Sequence, residues 1–364
     1  MTTLIRLVRS VVVFLGANVV LVTATAQFAP GWRPAPTQAP LEPLPATAPR
    51  TSPVLAVERE ETTIPSEAGD PLRAWIVRPA AGPADRPVPG VVLVHGAGSG
   101  DRDSLLREAE ALAAAGVAAI AYDKREEGYS FRSRDYAGLA DDAIGGAEVL
   151  ARQDGVDPDR IGIMGWSEGG WVAPIAVQRA PDRFAFLCVV SASIVSPLEQ
   201  TTWAADRPVA GAPDWVRRVP ATALSTGTRV ADYLDTDIRP LLQEIQVPVY
   251  AVWGAEDPTV PVNVAVRRLT EHVDPPVTAR VLPDAGHGLG AGPWLADAAR
   301  WMISLPDTAV DEVRGTEPAS HLGLASLPGN AWFTNPLPQT AVALGLAVAA
   351  WFLPISSRRS GPAA

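Results

Sequence analysis

The chain has 364 residues, 47% of them hydrophobic, and a formal net charge of −10 at pH 7. This length allows one large domain or two small ones, and the apolar content is sufficient for a sizeable core. The acidic balance argues against a nucleic-acid partner, because phosphate binding needs clustered lysine and arginine. The single cysteine, Cys188, excludes an intramolecular disulfide and a cysteine-based zinc site, and its apolar neighbours predict a buried thiol.

Residues 1–26 have the layout of an export signal. Arg6 and Arg9 precede an apolar stretch, and an A-x-A pattern follows at Ala24 and Ala26. This segment is either a cleaved signal peptide or an uncleaved N-terminal anchor. In both cases we expect the residues that follow to be exported to the extracytoplasmic side of the cell membrane.

Two segments lack the pattern of regular secondary structure. Residues 27–53 contain eight prolines, which exclude a sustained helix or a central strand and predict an extended linker. Residues 196–245 contain tryptophans and prolines without a clean strand pattern. We expect this second segment to be a small cap insertion over the strand ends.

Between residues 54 and 305, short apolar runs rich in Val and Ile alternate with Ala-rich segments of helical length. This alternation predicts an α/β domain, with a mostly parallel sheet and helices on both faces. Two alternating runs that meet at the sequence SEAGDP predict an antiparallel N-terminal hairpin at the sheet edge. Further strands are predicted at 90–95, 117–123, 160–165, 184–193, 247–254 and 277–283, and helices at 103–115, 136–152, 168–180 and 293–305.

A second apolar stretch, 340–355, lies near the C-terminus and is followed by two arginines. Extended over 336–357, it reaches the roughly 20 residues that span a bilayer, so we expect a C-terminal transmembrane segment. The arginines after it would then lie on the cytoplasmic side. Residues 306–335 contain scattered Pro, Gly and Ser and are expected to be a tether. The alternative is a hydrophobic helix packed on the domain.

The sequence GWSEGG contains G-x-S-x-G at residues 165–169. A buried strand is predicted before this motif and a helix after it, which is the context of a nucleophile held on a sharp strand-to-helix turn. Small flanking residues are needed there, because larger side chains would collide with the strand and the helix. Ser167 is therefore the candidate nucleophile.

A serine hydroxyl needs a base, and the chain has four histidines. His287 lies in a glycine-rich loop after the predicted strand 277–283, at the end of the sheet where a base is expected. His95 follows a strand, His272 ends a predicted helix, and His321 lies in the tether. We favour His287.

The acid of such a site is expected after another strand, between the serine and the histidine in chain order. The segment GAEDPTVP follows the predicted strand 247–254 and contains Glu256 and Asp257. We favour Asp257, because Pro258 follows it and should aim the side chain back over the sheet. Glu256 and then Asp284 are the alternatives.

Four landmarks of the sequence resemble the α/β-hydrolase superfamily. Within it, the chain is similar to serine esterases of the EstD-like and dienelactone-hydrolase-like groups, whose segments read close to H-G-S-G-x-x-D-R-D and Y-D-K-R-G-x-G-x-S. Glu126 and Glu127 depart from the second pattern and would add negative charge near the site. The landmarks are HGAGSGDRD at 95–103, YDKREEGYS at 122–130, GWSEGG at 165–170, and GAEDPTVP followed later by GHG.

The resemblance implies an α/β-hydrolase fold over about residues 54–305 and an oxyanion hole. The matching donors are the backbone N–H groups of Ala97 and Glu168, and His95 would shape the loop that carries Ala97. No metal or organic cofactor is expected.

The favoured function is hydrolysis of carboxylic esters through a Ser-His-Asp triad and an acyl-enzyme. A serine peptidase with the same triad is the main alternative, in which Glu126 and Glu127 could hold a substrate amine. A thioesterase and a non-catalytic binding module on the same fold rank lower. We therefore expect a small-molecule ester or peptide substrate and a membrane association through the terminal apolar segments.

Overall fold

The computed structural model describes residues 2–25, 32–34, 41–44, 54–67, 69–80, 87–206, 212, 231–290, 292–307, 309–319, 322–324 and 336–353. These residues fall into two compact units. The larger unit comprises Arg33–Ala204 and Val230–Gly323, and the smaller comprises Met1–Trp32, Ala205–Arg229 and Leu324–Ala364.

The larger unit is built on a nine-stranded sheet. In chain order the nine strands are β1 (Val57–Ile64), β2 (Leu72–Pro79), β3 (Val88–Val94), β4 (Ala118–Tyr122), β5 (Val156–Trp166), β6 (Phe186–Val190), β7 (Val249–Gly254), β8 (Val277–Leu282) and β9 (Glu312–Gly315). Along the sheet they lie in the order β9-β8-β7-β6-β5-β3-β4-β2-β1. Two further short strands, Trp32–Pro34 and Leu322–Leu324, pair with each other outside this sheet.

The helices follow the strands as the sequence pattern predicts. Three 3-10 turns, Arg102–Leu105, Pro181–Arg183 and Asp232–Asp235, accompany them. The α-helices are α1 (Thr2–Thr25), α2 (Leu106–Ala114), α3 (Tyr136–Ala151), α4 (Gly169–Arg179), α5 (Pro197–Asp206), α6 (Arg239–Gln243), α7 (Val262–His272), α8 (Pro293–Ile303) and α9 (Pro336–Phe352).

Strand direction matches the prediction of a mostly parallel sheet with an antiparallel N-terminal hairpin. Strands β3 to β9 are parallel, whereas β2 is antiparallel to both β1 and β4. In the hairpin, Val57 lies opposite Pro79 and Ile64 lies opposite Leu72. The parallel strands bring their carboxyl ends to one edge of the sheet, which is where ligands bind in α/β proteins.

Helices cover both faces of the sheet, as predicted. Side chains of β3 alternate between two apolar layers, because successive residues of a strand point to opposite faces. Val92 belongs to the layer that also contains side chains of α3, α4 and α7, and Val91 to the layer that contains side chains of α2 and α8. Strands β3, β4, β6 and β7 are buried on both faces, which explains their nearly continuous apolar runs.

The sheet extends further along the chain than the sequence predicts. Within the predicted tether, 306–335, residues 312–315 form the strand β9, which pairs in parallel with β8. The larger unit accordingly continues to Gly323. Four half-buried residues with the sequence EVRG are too few and too polar to be recognised as a strand.

The predicted cap insertion and linker are only partly described. Within 196–245 the structure contains α5, a 3-10 turn at Asp232–Asp235 and α6, and most of the stretch between α5 and that turn lies outside the described residues. Most of the predicted linker, 27–53, also lies outside them.

In the smaller unit, helices α1 and α9 pack against each other. The guanidinium of Arg9, near the start of α1, donates to the carbonyl oxygen of Leu353 at 2.8 Å, just beyond the end of α9. The two helices therefore run in opposite directions. Residues Thr3–Leu21 of α1 are long and apolar enough to cross a membrane, whereas the apolar part of α9, Pro338–Phe352, is shorter.

Candidate active site

Ser167 lies on the sharp turn between β5 and α4. Its φ of +49° is in the left-handed region, which is strained for a residue with a side chain. The Ser167 N–H donates to the Val190 carbonyl oxygen at 2.8 Å, so the end of β6 holds the turn. This is the sharp strand-to-helix turn that the sequence predicts at this position.

The glycines around Ser167 are required by space. A Cβ atom on Gly165 would lie 2.2 Å from the Gly169 carbonyl oxygen, and one on Gly170 would lie 2.3 Å from the Ala192 Cβ. Both distances are far below contact, so a side chain at Gly165 would push β5 and α4 apart, and one at Gly170 would collide with the segment after β6. The predicted reason for the small residues is confirmed.

The structure brings together Ser167, His287 and Asp257. His287 Nε2 lies 3.0 Å from Ser167 Oγ, and His287 Nδ1 lies 2.8 Å from Asp257 Oδ2. Because an ionised carboxylate only accepts hydrogen bonds, Nδ1 carries the proton and Nε2 is free to accept from the serine hydroxyl. The chain of contacts has the geometry of an activated nucleophile.

Asp257 is fixed in a buried position at the carboxyl end of β7. Its other carboxylate oxygen, Oδ1, accepts from the backbone N–H groups of Thr259 at 2.7 Å and Val260 at 3.2 Å. The two alternative acids, Glu256 and Asp284, are exposed. Asp257 is thus the carboxylate that the fold aims at His287.

The backbone of the histidine loop has a support that the sequence did not indicate. Ser191, directly after β6, donates from Oγ to the carbonyl oxygen of His287 at 2.8 Å. Ser191 itself has a φ of +49°. Small polar residues after a strand are common, so no sequence signal distinguishes Ser191 from its neighbours.

Among the described histidines, His95 and His272 make their ring hydrogen bonds with backbone carbonyl groups and not with the serine hydroxyl. His95 is buried, and its Nε2 donates to the Tyr122 carbonyl oxygen at 2.5 Å. Burial lowers the pKa of His95, which keeps the ring neutral. His272 contacts the Arg268 carbonyl oxygen through Nδ1 at the end of α7, and His321 lies outside the described residues.

A cavity of about 580 Å³ opens at Ser167. His287, Ala97 and Glu168 are among the residues that line it. Three aromatic side chains and one cation add to the wall, contributed by Trp166, Trp171, Tyr233 and Arg134. The cavity wall thus combines mostly apolar surface with a small number of polar groups, which is the character of a small-molecule site.

The two predicted oxyanion donors face this cavity from two loops. In the described part of the chain, neither the Ala97 N–H nor the Glu168 N–H donates to another protein group. An ideal Cβ on Gly96 would lie 3.5 Å from the Ser167 Cβ, so the loop that carries Ala97 passes directly beside the serine.

The side chain of Glu168 is the centre of a buried charged group, which we call the Glu168 cluster (Glu168, Lys124, Tyr129 and Arg134). Glu168 Oε1 accepts from Lys124 Nζ at 2.8 Å and from the Tyr129 hydroxyl at 2.8 Å, and Oε2 accepts from Arg134. The Glu168 side chain is 1% exposed and that of Lys124 is 4% exposed. Burial lowers the pKa of Lys124 and raises that of Tyr129 to about 12.

The segment YDKREEGYS contributes two members of this cluster, Lys124 and Tyr129, which the sequence pattern does not single out. Glu126 and Glu127 of the same segment, the acids that could have held a substrate amine, are exposed and do not belong to the described cavity wall. One sequence feature could have pointed to this cluster, because Lys124 is the only lysine in the chain. No group of three or more potential metal ligands occurs among the described residues.

Residues 105–304 match the model of the prolyl oligopeptidase family. The match covers more than half of the chain. This chain belongs to the prolyl oligopeptidase family. It is therefore a serine hydrolase, which agrees with the prediction of a hydrolase.

The curated relative is a dipeptidyl aminopeptidase BIII from Pseudoxanthomonas mexicana, 31% identical over 223 residues. The alignment covers 57% of this chain and 31% of that protein, so this family member spans about a third of the relative's length.

Two solved structures superimpose on part of this chain. An esterase from Pyrobaculum calidifontis superimposes with a TM-score of 0.48 at 21% identity, covering 68% of this chain and 86% of that one. A 2,6-dihydroxy-pseudo-oxynicotine hydrolase superimposes with a TM-score of 0.51 at 21% identity, covering 71% of each chain. The family match and this second superposition confirm the predicted α/β-hydrolase fold.

Proposed function

We propose that this serine hydrolase cleaves carboxylic esters with Ser167 as the nucleophile, His287 as the base and Asp257 as the orienting acid. The observation that carries the proposal is the hydrogen-bonded chain from Asp257 through His287 to a serine on a strained turn at a cavity wall. This arrangement meets the requirement that nucleophile, base and orienter be in contact.

In the first half of the reaction, Ser167 Oγ attacks the ester carbonyl carbon and its proton passes to His287 Nε2. The C–O bond to the alcohol then breaks, and His287 returns the proton to the leaving alcohol. The acyl group remains on Ser167. In the second half, His287 takes a proton from water, the hydroxide attacks the acyl carbon, and the acid leaves as Ser167 regains its proton.

The negative charge on the carbonyl oxygen would be stabilised by the backbone N–H groups of Ala97 and Glu168. Both residues line the cavity beside Ser167. The N–H of Glu168 also precedes α4, whose N-terminal dipole favours negative charge. Losing one such donor typically costs about 10²–10³-fold in rate.

The charges of the cavity favour an ester over a peptide with a free N-terminus. An N-terminal ammonium would need an available carboxylate in the cavity wall. Among the described lining residues the one carboxylate is Glu168, and it already accepts from Lys124, Tyr129 and Arg134. Glu126 and Glu127 are exposed and outside the wall.

Peptide hydrolysis is the second candidate. Membership of the prolyl oligopeptidase family and the similarity to a dipeptidyl aminopeptidase favour it. The same triad and oxyanion donors would serve, with an amine in place of the alcohol as leaving group.

The test compares turnover of p-nitrophenyl esters of short acids with that of aminoacyl and dipeptidyl p-nitroanilides, for the wild type and Ser167→Ala. We expect ester turnover that is lost in the variant, and labelling of the wild type alone by a fluorophosphonate. Ester turnover that survives in Ser167→Ala would refute the triad. Turnover of the anilides alone would establish the peptidase instead.

We further propose that α1 is retained as a membrane anchor together with α9. Large apolar side chains point outward over most of both helices, whereas α9 turns Ala343, Ala347 and Ala350 inward. Small residues between helices and apolar residues outside are typical of helices packed in lipid. The outward-facing apolar residues are Leu4, Ile5, Leu7, Val8, Val11, Val12, Leu15, Val19 and Val20 of α1 and Val342, Leu344, Leu346, Val348 and Phe352 of α9.

The arginines support one orientation of this pair. Arg6 and Arg9 lie near the start of α1, and Arg9 contacts the residues that end α9. Arg358 and Arg359 follow α9 in the sequence. Positive residues on one side would place that side in the cytoplasm and the hydrolase domain outside.

Alkaline carbonate extraction of membranes and mass spectrometry of the mature N-terminus test this anchor. We expect the protein to remain in the membrane with residues 2–25 attached. A mature chain that begins near residue 27 would refute the retained helix, and the C-terminal segment would then be the sole candidate anchor.

A further inference from the structure

The two amides assigned to the oxyanion hole are linked by hydrogen bonds through the Glu168 cluster. One amide belongs to Glu168 itself. The other belongs to Ala97, which lies between Gly96 and Gly98 on the loop after β3. Both neighbours of Ala97 are held by members of the cluster.

Lys124 and Tyr129 make these contacts with the loop. Lys124 Nζ donates to the Gly96 carbonyl oxygen at 2.9 Å and to the Gly98 carbonyl oxygen at 3.2 Å. The Gly98 N–H donates to the Tyr129 hydroxyl oxygen at 2.9 Å. The loop is therefore fixed at one backbone oxygen before Ala97 and at both polar backbone groups of Gly98.

The same two side chains converge on one carboxylate oxygen, Glu168 Oε1, at 2.8 Å each. The Lys124 ammonium also lies 3.8 Å from the centre of the Tyr129 ring, which holds the pair together. The positions of the two loops are thus coupled through three side chains.

We infer that Lys124 and Tyr129 are positioning residues that set the Ala97 amide relative to the Glu168 amide, so that both can donate to one developing oxyanion. This inference rests on the proposed hydrolytic function. Such donors must lie about 2.7–3.1 Å from the position of the oxyanion, and a displacement of about 1 Å can cost about 10²-fold in rate.

The charges of the cluster support the same role. Lys124 and Arg134 are cationic and share one carboxylate, so the cluster carries an excess of positive charge beside the two amides. In a buried site this charge favours an oxyanion. Fold stability alone explains such a cluster less well, because the cost of desolvating buried charges offsets the attraction between them.

The test uses Tyr129→Phe, which keeps the ring over Lys124 and removes only the hydroxyl. Tyr250→Phe is the matched control, because the Tyr250 hydroxyl also donates to a carboxylate, Asp297, at 2.9 Å but makes no contact with the loop. Lys124→Met is a second variant that removes both lysine contacts with the loop.

We expect Tyr129→Phe to lower kcat by about 10-fold and Lys124→Met by about 10²-fold, with KM within about twofold of wild type. The inhibition constant of an alkyl trifluoromethyl ketone should rise by the same factors, because its adduct with Ser167 carries the oxyanion. Tyr250→Phe should change neither quantity. If Lys124→Met does not fold, the kcat and the inhibition constant of Tyr129→Phe alone test the inference.

Unchanged kcat and unchanged inhibition by the ketone in Tyr129→Phe would overturn the inference while Ser167→Ala still abolishes turnover. Equal losses in Tyr129→Phe and Tyr250→Phe would also overturn it, since the effect would then be structural. Turnover that survives in Ser167→Ala would instead overturn the proposed function itself.

Discussion

Two loops flank Ser167, the loop that carries His287 and the Gly96–Gly98 loop, and they differ in the side chains that hold them in place. The His287 side chain is 29% exposed and belongs to a loop that Ser191 and Asp257 hold by one hydrogen bond each. The Gly96–Gly98 loop on the other side is held by Lys124 and Tyr129. Under the proposed function the two regions differ in role: His287, the proposed proton-transfer group, lies on an accessible loop, whereas the proposed oxyanion amide of Ala97 lies on a loop held by the Glu168 cluster.

The largest effect is expected on the histidine side. Asp257→Asn should lower kcat by about 10⁴-fold, because an amide can donate to Nδ1 and would then favour the tautomer with the proton on Nε2. Steady-state kinetics with the preferred substrate measure this loss. Glu256→Gln, one residue away and exposed, is the control and should leave kcat unchanged; equal losses in both variants would refute the assignment of Asp257.

For the Glu168 cluster, the second-largest effect is expected on the stability of the fold. Glu168→Gln removes the carboxylate that Lys124 and Arg134 share, so we expect the free energy of unfolding in urea to fall by about 3 kcal/mol. Asp141→Asn breaks an exposed pair with Arg179 and should cost less than about 1 kcal/mol. Similar unfolding curves for the two variants would contradict a buried cluster.

The pH dependence of stability tests the buried position of His95, which directly precedes the Gly96–Gly98 loop. Burial lowers the pKa of His95 from its ordinary 6.5, so the unfolded chain binds a proton below pH 6.5 before the folded one does. The contribution of His95 to stability should therefore fall as the pH drops below 6.5, by up to about 1.4 kcal/mol per pH unit. The charged groups acting on the ring are Lys124, which lowers its pKa, and Asp101 and Asp123, which raise it.

Unfolding of the wild type and of His95→Gln between pH 7.5 and 5 measures this contribution. The glutamine variant should lose less stability across that range, since its side chain does not titrate. A parallel pH dependence of the two proteins would exclude His95 as the cause.

The smallest effect is expected at the support of the histidine loop. Ser191→Ala removes one hydrogen bond to the His287 carbonyl oxygen, worth about 1 kcal/mol, and should lower kcat by about fivefold. Ser193→Ala is the matched control, because the buried Ser193 hydroxyl has no hydrogen-bond partner in the described part of the chain. A loss in Ser193→Ala as large as in Ser191→Ala would remove the special role of Ser191.

The sequence predicted the parts of the molecule that follow from local patterns. Buried parallel strands have continuous apolar runs in the sequence, and the glycines at 165 and 170 indicate the crowded turn that the structure contains. Chain order sufficed to select Asp257 and His287 as candidates, because each follows a strand whose end lies at one edge of the sheet.

The parts that the sequence did not reveal depend on distant contacts. Lys124 and Glu168 are 44 residues apart, and Ser191 and His287 are 96 apart, so no local pattern connects them. In the segment around Glu126 the two acids are exposed, whereas the neighbouring Lys124 points inward to Glu168, and no local pattern distinguishes the two orientations. The strand β9 was too short and too polar for its pairing to be visible.

That outermost strand has a practical consequence for anyone who shortens the gene. A recombinant protein that ends at Leu305, where the apolar pattern stops, would lack β9. The backbone N–H and C=O groups along the border of β8 that pairs with β9 would then be unpaired. Such a border is a template for intermolecular strand pairing and precipitation. Recombinant versions without the terminal helices should therefore retain the chain through Gly323.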